Sequence, residues 1–149
     1  MTFAVDVDEW ARRAGLSFED AIRGVSIKLF SAIIESSPVD EGTFRNNWYV
    51  AGDIPSSEVN PNAKGGSDAG AIAKITTDVL NLSDFTAITF TNNLPYSEVI
   101  EFGGYPKPAK TGNKTVSGYS KQAPQGVVRV NAVRFEQLLQ EEARRVSNR

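Results

Sequence analysis

Residues 17–38 read SFEDAIRGVSIKLFSAIIESSP, and this stretch decides much of the fold. Ser17 and Asp20 have the spacing of a capping box, so we expect a helix that begins after Ser17. Pro38 disfavours helical backbone in the residue before it, which ends the helix near Ser36 or Ser37. The apolar residues within these limits recur at the three- and four-residue steps of one helix face, a stripe that comprises Phe18, Ala21, Ile22, Val25, Leu29, Phe30, Ala32, Ile33 and Ile34.

On either side of this helix, the pattern predicts shorter elements. Trp48 lies in an alternating segment that predicts a strand in the second half of 43–50, with the indole ring inward. Glycine, proline, serine and asparagine are concentrated in two long loops, at 51–68 and 103–126. The other predicted elements are a short helix at 8–14, a turn at 38–42, a helix capped by Ser67 or Asp68 with Ile72, Ile75, Val79 and Leu80 on its apolar face, a strand at 85–91, a short helix from Pro95 to Gly103, and a C-terminal helix from Val128, for which a strand at 127–130 is the alternative.

This order of elements predicts a single α+β domain over residues 1–149. In it, a small, mostly antiparallel sheet is packed by the long N-terminal helix and by the C-terminal helix, and the loops at 51–68 and 103–126 extend from this body. Two predicted strands make too small a sheet to be stable alone. We therefore expect a third strand, either from residues 51–66 or from another subunit.

The composition excludes several classes of chemistry. Among the 149 residues there is no cysteine and no histidine, which excludes disulfide scaffolds, thiol nucleophiles, imidazole bases and histidine-ligated metals. No apolar run approaches the roughly 18 residues of a membrane span, and the acidic N-terminus is unlike a signal peptide. We expect a chain with no cofactor, no metal, no membrane contact and no enzymatic activity.

Acidic and basic residues are segregated along the chain. Residues 15–101 hold twelve acidic and five basic side chains, a balance of −7. Residues 102–135 hold six basic side chains and no acidic one, a balance of +6. Opposite charges of this kind suit either two surfaces that join neighbouring copies or a loop that lysines keep solvated. A nucleic-acid-binding module is a further alternative, in which the phosphate contacts would be Lys107, Lys110, Lys114 and Lys121.

Glu98 and Glu101 are the candidates for acid–base chemistry. They lie three residues apart, so a helix places them near one face, and paired carboxylates are what a carboxylate-based hydrolase requires. The alternative is a solvated or salt-bridged helix face, which we favour because no partner motif accompanies the pair. Trp48, Tyr96 and Phe102 stand beside asparagine, proline or glycine and suit an interface between proteins, where aromatic residues are enriched.

Three sequence blocks carry a resemblance to a known family. The first block is Ser37–Trp48 (SPVDEGTFRNNW), the second is Asn92–Gly103 (NNLPYSEVIEFG) and the third is Gln122–Arg129 (QAPQGVVR). In this order, and followed by a C-terminal helix, they resemble the neck and tail-completion proteins that long-tailed bacteriophages place at the head–tail joint. One departure is Glu41, where the family more often has threonine.

The resemblance implies a structural virion protein that is assembled in the host cytoplasm and forms a ring, with six copies favoured and twelve possible. Its implied partners are a head-connector or adaptor ring and a tail terminator or tail-tube protein, while DNA passes through the lumen without sequence-specific binding. A tail terminator that caps the growing tail tube is the alternative role. The interface and motif residues predicted on this basis are Pro38, Asp40, Gly42, Phe44, Arg45, Trp48, Tyr96, Glu101, Phe102, Gly103, Lys107, Lys110, Lys114, Lys121, Pro124 and Gly126.

Overall fold

The computed structural model describes three parts of the 149-residue chain, residues 1–5, 18–104 and 115–147. These parts contain five α-helices, a three-stranded antiparallel sheet and a two-stranded antiparallel hairpin. The predicted α+β class, with a long N-terminal helix and a C-terminal helix, is confirmed. The short helix predicted at 8–14 and the cap predicted at Ser17 lie outside the described residues.

The long helix α1 (Phe18–Ser36) has the limits that the sequence predicts. At its C-terminal end, the hydroxyls of Ser36 and Ser37 each donate to a backbone carbonyl four residues earlier, over 2.8 Å. Such bonds compete with the helical ladder, and Pro38 follows directly. The chain therefore turns away from the helix axis at this point.

The main sheet is formed by β1 (Thr2–Val5), β2 (Trp48–Ala51) and β3 (Ile88–Asn92), in the order β1–β3–β2. Both neighbours run antiparallel to β3, and Phe90 lies opposite residue 3 of β1 and residue 50 of β2. The expectation of a third strand from residues 51–66 or from another subunit is wrong. The N-terminal residues supply it, because the backbone of Thr2–Val5 pairs with β3 late in the sequence.

A stack of three aromatic rings joins α1 to the sheet. The ring of Phe90 in β3 lies between Phe30 of α1, at a centroid distance of 4.1 Å, and Trp48 of β2, at 4.6 Å. Phe44 adds an edge-on contact to the indole at 5.6 Å. All four side chains are buried, so the prediction that Trp48 points inward is confirmed.

The second long helix is α2 (Asp68–Asn81), and Ser67 caps it by accepting a hydrogen bond from the backbone N–H of Gly70 over 3.1 Å. Its buried residues are Ala71, Ile75 and Val79. The prediction that Leu80 belongs to this apolar face is wrong, since Leu80 is 59% exposed. The 100° step from residue 79 turns it toward solvent.

Short elements follow β3. Helix α3 (Ser97–Phe102) begins two residues after the predicted start at Pro95 and ends at Gly103, which has a φ of +82°. Within the predicted loop at 103–126, the chain forms a hairpin of β4 (Thr115–Val116) and β5 (Tyr119–Ser120) that the sequence analysis did not anticipate.

The C-terminal part holds two helices, α4 (Val128–Ala132) and α5 (Phe135–Ser147), where one continuous helix was predicted. The alternative of a strand at 127–130 is excluded. Helix α5 packs against α1, with Glu141 in an ion pair with Lys28 at 3.6 Å. A Cβ atom on Gly24 would lie 2.1 Å from the Oε1 atom of Glu142, so a larger residue there would require the Glu142 side chain to move. Within the described ranges, every helix is too short or too polar to traverse a bilayer.

Replacing Phe30 by alanine should remove the outer ring of the aromatic stack and leave a cavity. Because Phe30 is fully buried, we expect a loss of about 3–5 kcal/mol in the free energy of unfolding, measured by equilibrium denaturation. The matched control is Ile54→Ala, an apolar truncation at an exposed site, which should cost less than about 0.5 kcal/mol. Equal losses in the two variants would contradict the proposed role of the stack.

Candidate functional site

The three sequence blocks that carry the family resemblance meet in space. The side-chain amide of Asn92, in the second block, donates to the carbonyl of Phe44 in the first block over 3.0 Å. The amide of Gln122, in the third block, pairs with the backbone of Val39, accepting from its N–H at 2.7 Å and donating to its carbonyl at 2.8 Å. Glu101 joins the second block to the third. We call this arrangement the block junction.

Glu101 is the centre of the junction. Its side chain is only 1% exposed. One carboxylate oxygen, Oε2, accepts hydrogen bonds from the backbone N–H groups of Val127 and Val128 at 2.7 and 2.8 Å. The other, Oε1, accepts from the backbone N–H and from the Nε atom of Arg129, both at 2.9 Å. The carboxylate therefore caps the first turn of α4, where backbone N–H groups lack helical partners.

Opposing influences act on the pKa of Glu101. Burial alone would raise it, but hydrogen bonds from the backbone N–H groups of Val128, Arg129 and Val127, and from the Arg129 side chain, outweigh burial and lower the pKa of this carboxyl. The same side-chain bond to Glu101 raises the pKa of Arg129. Glu101 is thus held as an anion by four donors.

Two glycines permit close packing at the junction, one against Glu101 and one against Tyr119. Gly126 has a φ of +83°, and a Cβ atom there would lie 2.6 Å from the backbone oxygen of Glu101 and 2.8 Å from its Oε2. A Cβ atom on Gly103, with a φ of +82°, would lie 3.0 Å from the ring of Tyr119. Pro124 lies in the turn that precedes α4, closed by a hydrogen bond from Gly126 N–H to the Ala123 carbonyl at 3.1 Å.

The first block organises the loop that precedes α2. Gly42 has a φ of +89°, and a Cβ atom there would lie 2.7 Å from the carbonyl oxygen of Gly65. The amide of Asn46 donates to that same oxygen at 2.8 Å, and Arg45 donates to the carbonyl of Gly66 at 2.6 Å. Asp40, by contrast, is exposed. The turn residues of this block therefore serve mainly to position a neighbouring loop.

Ser37 and Trp48, the two ends of the first block, contact each other. The indole Nε1 of Trp48 donates to the Ser37 hydroxyl at 3.0 Å, and both residues are buried. Pro38 lies next to this bond and is partly buried. Trp48 thus belongs to the core and presents no ring to a partner.

Other predicted interface residues do lie on the surface. Phe102 is 58% exposed, and the guanidinium carbon of Arg129 lies 4.6 Å from the centre of its ring. Tyr96 is partly exposed, and the centre of its ring lies 6.4 Å from that of Phe44. Lys121 is exposed. The remaining predicted basic residues, Lys107, Lys110 and Lys114, lie outside the described residues.

Glu98 and Glu101 do not converge on a common point as an acid–base pair would. Glu98 is exposed, whereas both oxygens of Glu101 accept hydrogen bonds inside the protein. The expectation of a solvated face is wrong for Glu101, which is buried, because helical spacing cannot report what packs above a residue; the salt bridge that the expectation also named is present, to Arg129 at 2.9 Å. Among the residues that the structure describes, no group of three acidic, histidine or cysteine side chains could hold a metal ion.

The junction is also held together by several amide side chains that the sequence pattern did not single out. Besides Gln122, the amide of Asn131 donates to Val127 O at 2.7 Å and to the Ser36 hydroxyl at 3.1 Å, which ties α4 to the end of α1. Asn47 pairs with the backbone of Asn60 at 2.7 and 2.8 Å. The number of asparagines next to turns is the only signal in the sequence that could have indicated them.

Replacing Glu101 by glutamine keeps the shape of the side chain but removes its charge and places an NH₂ group against backbone donors. We expect a loss of about 1.5–3 kcal/mol in the free energy of unfolding, the range for hydrogen bonds to charged groups. Glu98→Gln, on the same helix but exposed, is the matched control and should change this value by less than about 0.5 kcal/mol.

The pH dependence of stability in the same two variants separates the effect of the Glu101 charge from that of its shape. Because the pKa of Glu101 is lower in the folded chain, its contribution is complete above the unfolded value of about 4.3 and is lost as the pH falls toward the folded pKa. The difference in stability between wild type and E101Q should therefore shrink on acidification through this range. A constant difference would contradict the capping role of the anion.

Replacing Gly126 by alanine should disrupt the junction sterically. A methyl group there would press against Glu101, whereas a Cβ atom on Gly104, with a φ of +111°, would meet no atom within 4 Å. Both substitutions impose backbone strain, but only G126A adds overlap, so it should cost about 1–3 kcal/mol more than G104A in urea denaturation. Equal costs would show that the junction yields to an added methyl group.

Neither protein-family models, nor curated proteins, nor solved structures gave a match to the chain. The block junction is therefore interpreted on its own chemistry.

Proposed function

We propose that this chain is a structural virion protein that forms a ring at the head–tail joint of a long-tailed bacteriophage, as a neck or tail-completion component. The observation that carries the proposal is the block junction. The three blocks that resemble the family are separated in sequence, yet hydrogen bonds donated by the amides of Asn92 and Gln122 and accepted by the carboxylate of Glu101 join them into one framework. Three blocks whose residues hydrogen-bond to one another support the resemblance better than three blocks without mutual contact would.

The structural roles of the polar side chains at the junction also favour an assembly function. Glu101 supplies a helix cap, Asn92 and Gln122 bind backbone groups, and Trp48 binds Ser37. These side chains stabilise the framework. Among the side chains that the framework presents to solvent are the Phe102 ring and the Arg129 guanidinium above it, and both residue types are enriched where proteins bind proteins.

In this role the chain would contact copies of itself in a ring of six, or of twelve, and would join a head-connector or adaptor ring to a tail terminator or tail-tube protein. DNA would pass through the lumen without sequence-specific binding. A closed ring needs two different surfaces on each copy. The opposite balances of residues 15–101 and 102–135, −7 and +6, could supply them.

The test is the copy number of this chain in tailed particles purified from the phage or prophage that carries its gene, measured by quantitative peptide mass spectrometry. We expect six or twelve copies per particle, and separate heads and tails when the gene is deleted. Complementation by E98Q should restore joined particles, and complementation by E101Q should restore fewer because its framework is weakened.

Particles that lack the chain, or that join heads to tails without it, would refute the proposal. Tails of uncontrolled length in the deletion strain would instead assign the alternative role, that of a tail terminator. The copy number and the tail length are therefore measured on the same preparations.

A further inference from the structure

The connection between β2 and α2 is long and irregular. Strand β2 ends at Ala51 and helix α2 begins at Asp68, which leaves sixteen residues without helix or strand between them. Connections of this length are uncommon in compact domains, and they usually either take part in binding or are disordered. The contacts of the backbone in this connection decide between the two possibilities.

Amide side chains from the body of the protein hold the middle of the connection. The amide of Asn93 donates to the carbonyls of Ser56 and Glu58, at 2.9 and 3.0 Å. The buried amide of Asn47 accepts from the backbone N–H of Asn60 at 2.7 Å and donates to its carbonyl at 2.8 Å. Because an amide carries both donors and an acceptor, these two side chains bind the backbone of the connection as a neighbouring strand would.

The two ends of the connection are anchored as well. Asp53 accepts hydrogen bonds from the backbone N–H groups of residues 86 and 87, both at 2.8 Å. At the other end, the Asn46 amide and the Arg45 guanidinium bind the carbonyls of residues 65 and 66. Side chains of the body therefore order the backbone at both ends and in the middle, which argues against disorder and favours a role in binding.

The side chains of the same segment reach solvent. Within residues 53–62, which we call the anchored loop, Ser56 is partly buried and every other residue is exposed. Ile54 is 83% exposed and Val59 is 46% exposed. The fold thus fixes the backbone of the anchored loop, while the apolar side chains of the loop contribute little to the core.

The charge of the anchored loop limits the kind of partner. The loop holds Asp53 and Glu58 and no basic residue, a balance of −2. Nucleic acid and anionic lipid surfaces, which attract basic side chains, are therefore poor partners. Exposed apolar and acidic side chains together fit an apolar pocket that lysine or arginine side chains border, on the surface of a protein.

A second copy of this chain is a weaker candidate for the source of that pocket. Lys64, Lys74 and Arg129 are exposed, but each already binds a carboxylate of its own chain, at 3.5, 3.5 and 2.9 Å. If one of these cations bound Glu58 of another copy, an existing ion pair would be lost for the new one. The charges therefore favour a different protein as the occupant.

We propose that the anchored loop is a recognition site for a protein other than this chain. Ile54 enters an apolar pocket of that protein, and lysine or arginine side chains at the rim of the pocket bind Glu58. An ordered loop loses little conformational freedom on binding, and the prolines at 55 and 61 restrict the backbone further. The inference rests on the proposed function only for the place of the contact, where the partner would be a neighbouring ring of the head–tail joint.

The test places a photoreactive side chain at the expected contact. Ile54 is replaced by p-benzoyl-phenylalanine in the full chain, and irradiation is applied to cells that carry the phage or prophage and to particles purified from them. We expect a covalent adduct with one protein other than this chain. Peptide mass spectrometry should place the cross-link among apolar residues of that protein, with lysine or arginine beside them.

Charge reversal tests the rim of the pocket. Glu58→Lys keeps a long, exposed side chain but opposes the cations of the partner, so it should lower the yield of the residue-54 adduct about tenfold or more. If E58K fails to fold, Glu58→Gln replaces it and should give a smaller loss. The matched control is Glu35→Lys, a charge reversal at an exposed site on α1, which should leave the yield unchanged. Raised salt should lower the yield in wild type.

Loss of an anchor tests the ordering of the loop. Asn93→Ala removes two hydrogen bonds to the loop backbone but keeps every exposed side chain of the loop. Hydrogen exchange at residues 57–60 should become faster, and the adduct yield should fall to about half or less. Asn81→Ala, at an exposed asparagine, should behave as wild type. In wild type the Asn60 amide, which donates to Asn47, should exchange slowly, and rapid exchange there would overturn the inference.

The outcomes separate this inference from the proposed function. Absence of an adduct at residue 54, an adduct with a second copy or with nucleic acid, or a yield that E58K leaves unchanged would overturn the inference, even where the particles hold six or twelve copies of the chain. A charge-dependent adduct with another protein in cells, together with particles that lack the chain, would keep the recognition site and refute the virion role.

Discussion

The carboxylate of Glu101, buried beneath the first turn of α4, is the interaction on which the rest of the junction depends. A buried anion is costly unless hydrogen bonds replace the water that it loses. Here three backbone N–H groups and the Arg129 side chain do so, across 26 to 28 residues of sequence. Helix α4 has only five residues, too few to be stable alone. The hydrogen bonds to Glu101 therefore fix the position of α4, and α4 in turn fixes the position of Arg129.

This local arrangement is continuous with the hydrophobic core. Asn131 connects α4 to Ser36, and the next residue, Ser37, accepts the indole hydrogen bond of Trp48. Trp48 then stacks on Phe90. The polar junction and the aromatic stack are thus consecutive parts of one chain of contacts.

The elements that could be predicted from the sequence are those whose cause is local. Helix α1 follows from its apolar period, and the Ser67 cap from side-chain chemistry next to the helix. The strand at Thr2–Val5 was missed because its partner lies more than eighty residues away. Glu101 was misjudged for the same reason: spacing places it near Glu98 on a helix, but its burial is decided by residues 127–129. Periodicity indicates which residues share a helix face, whereas long-range contacts decide which of them are buried.

The Glu101–Arg129 pair exposes only one of its two charges. The carboxylate is 1% exposed and the guanidinium is 53% exposed, so the charges cancel within the pair but only the cation meets solvent. The cation also lies over an exposed aromatic ring, that of Phe102. Glu101 therefore balances the charge of Arg129 without exposing a carboxylate beside it. Of the two acidic residues of α3, Glu98 therefore reaches solvent, whereas Glu101 is buried as a helix cap.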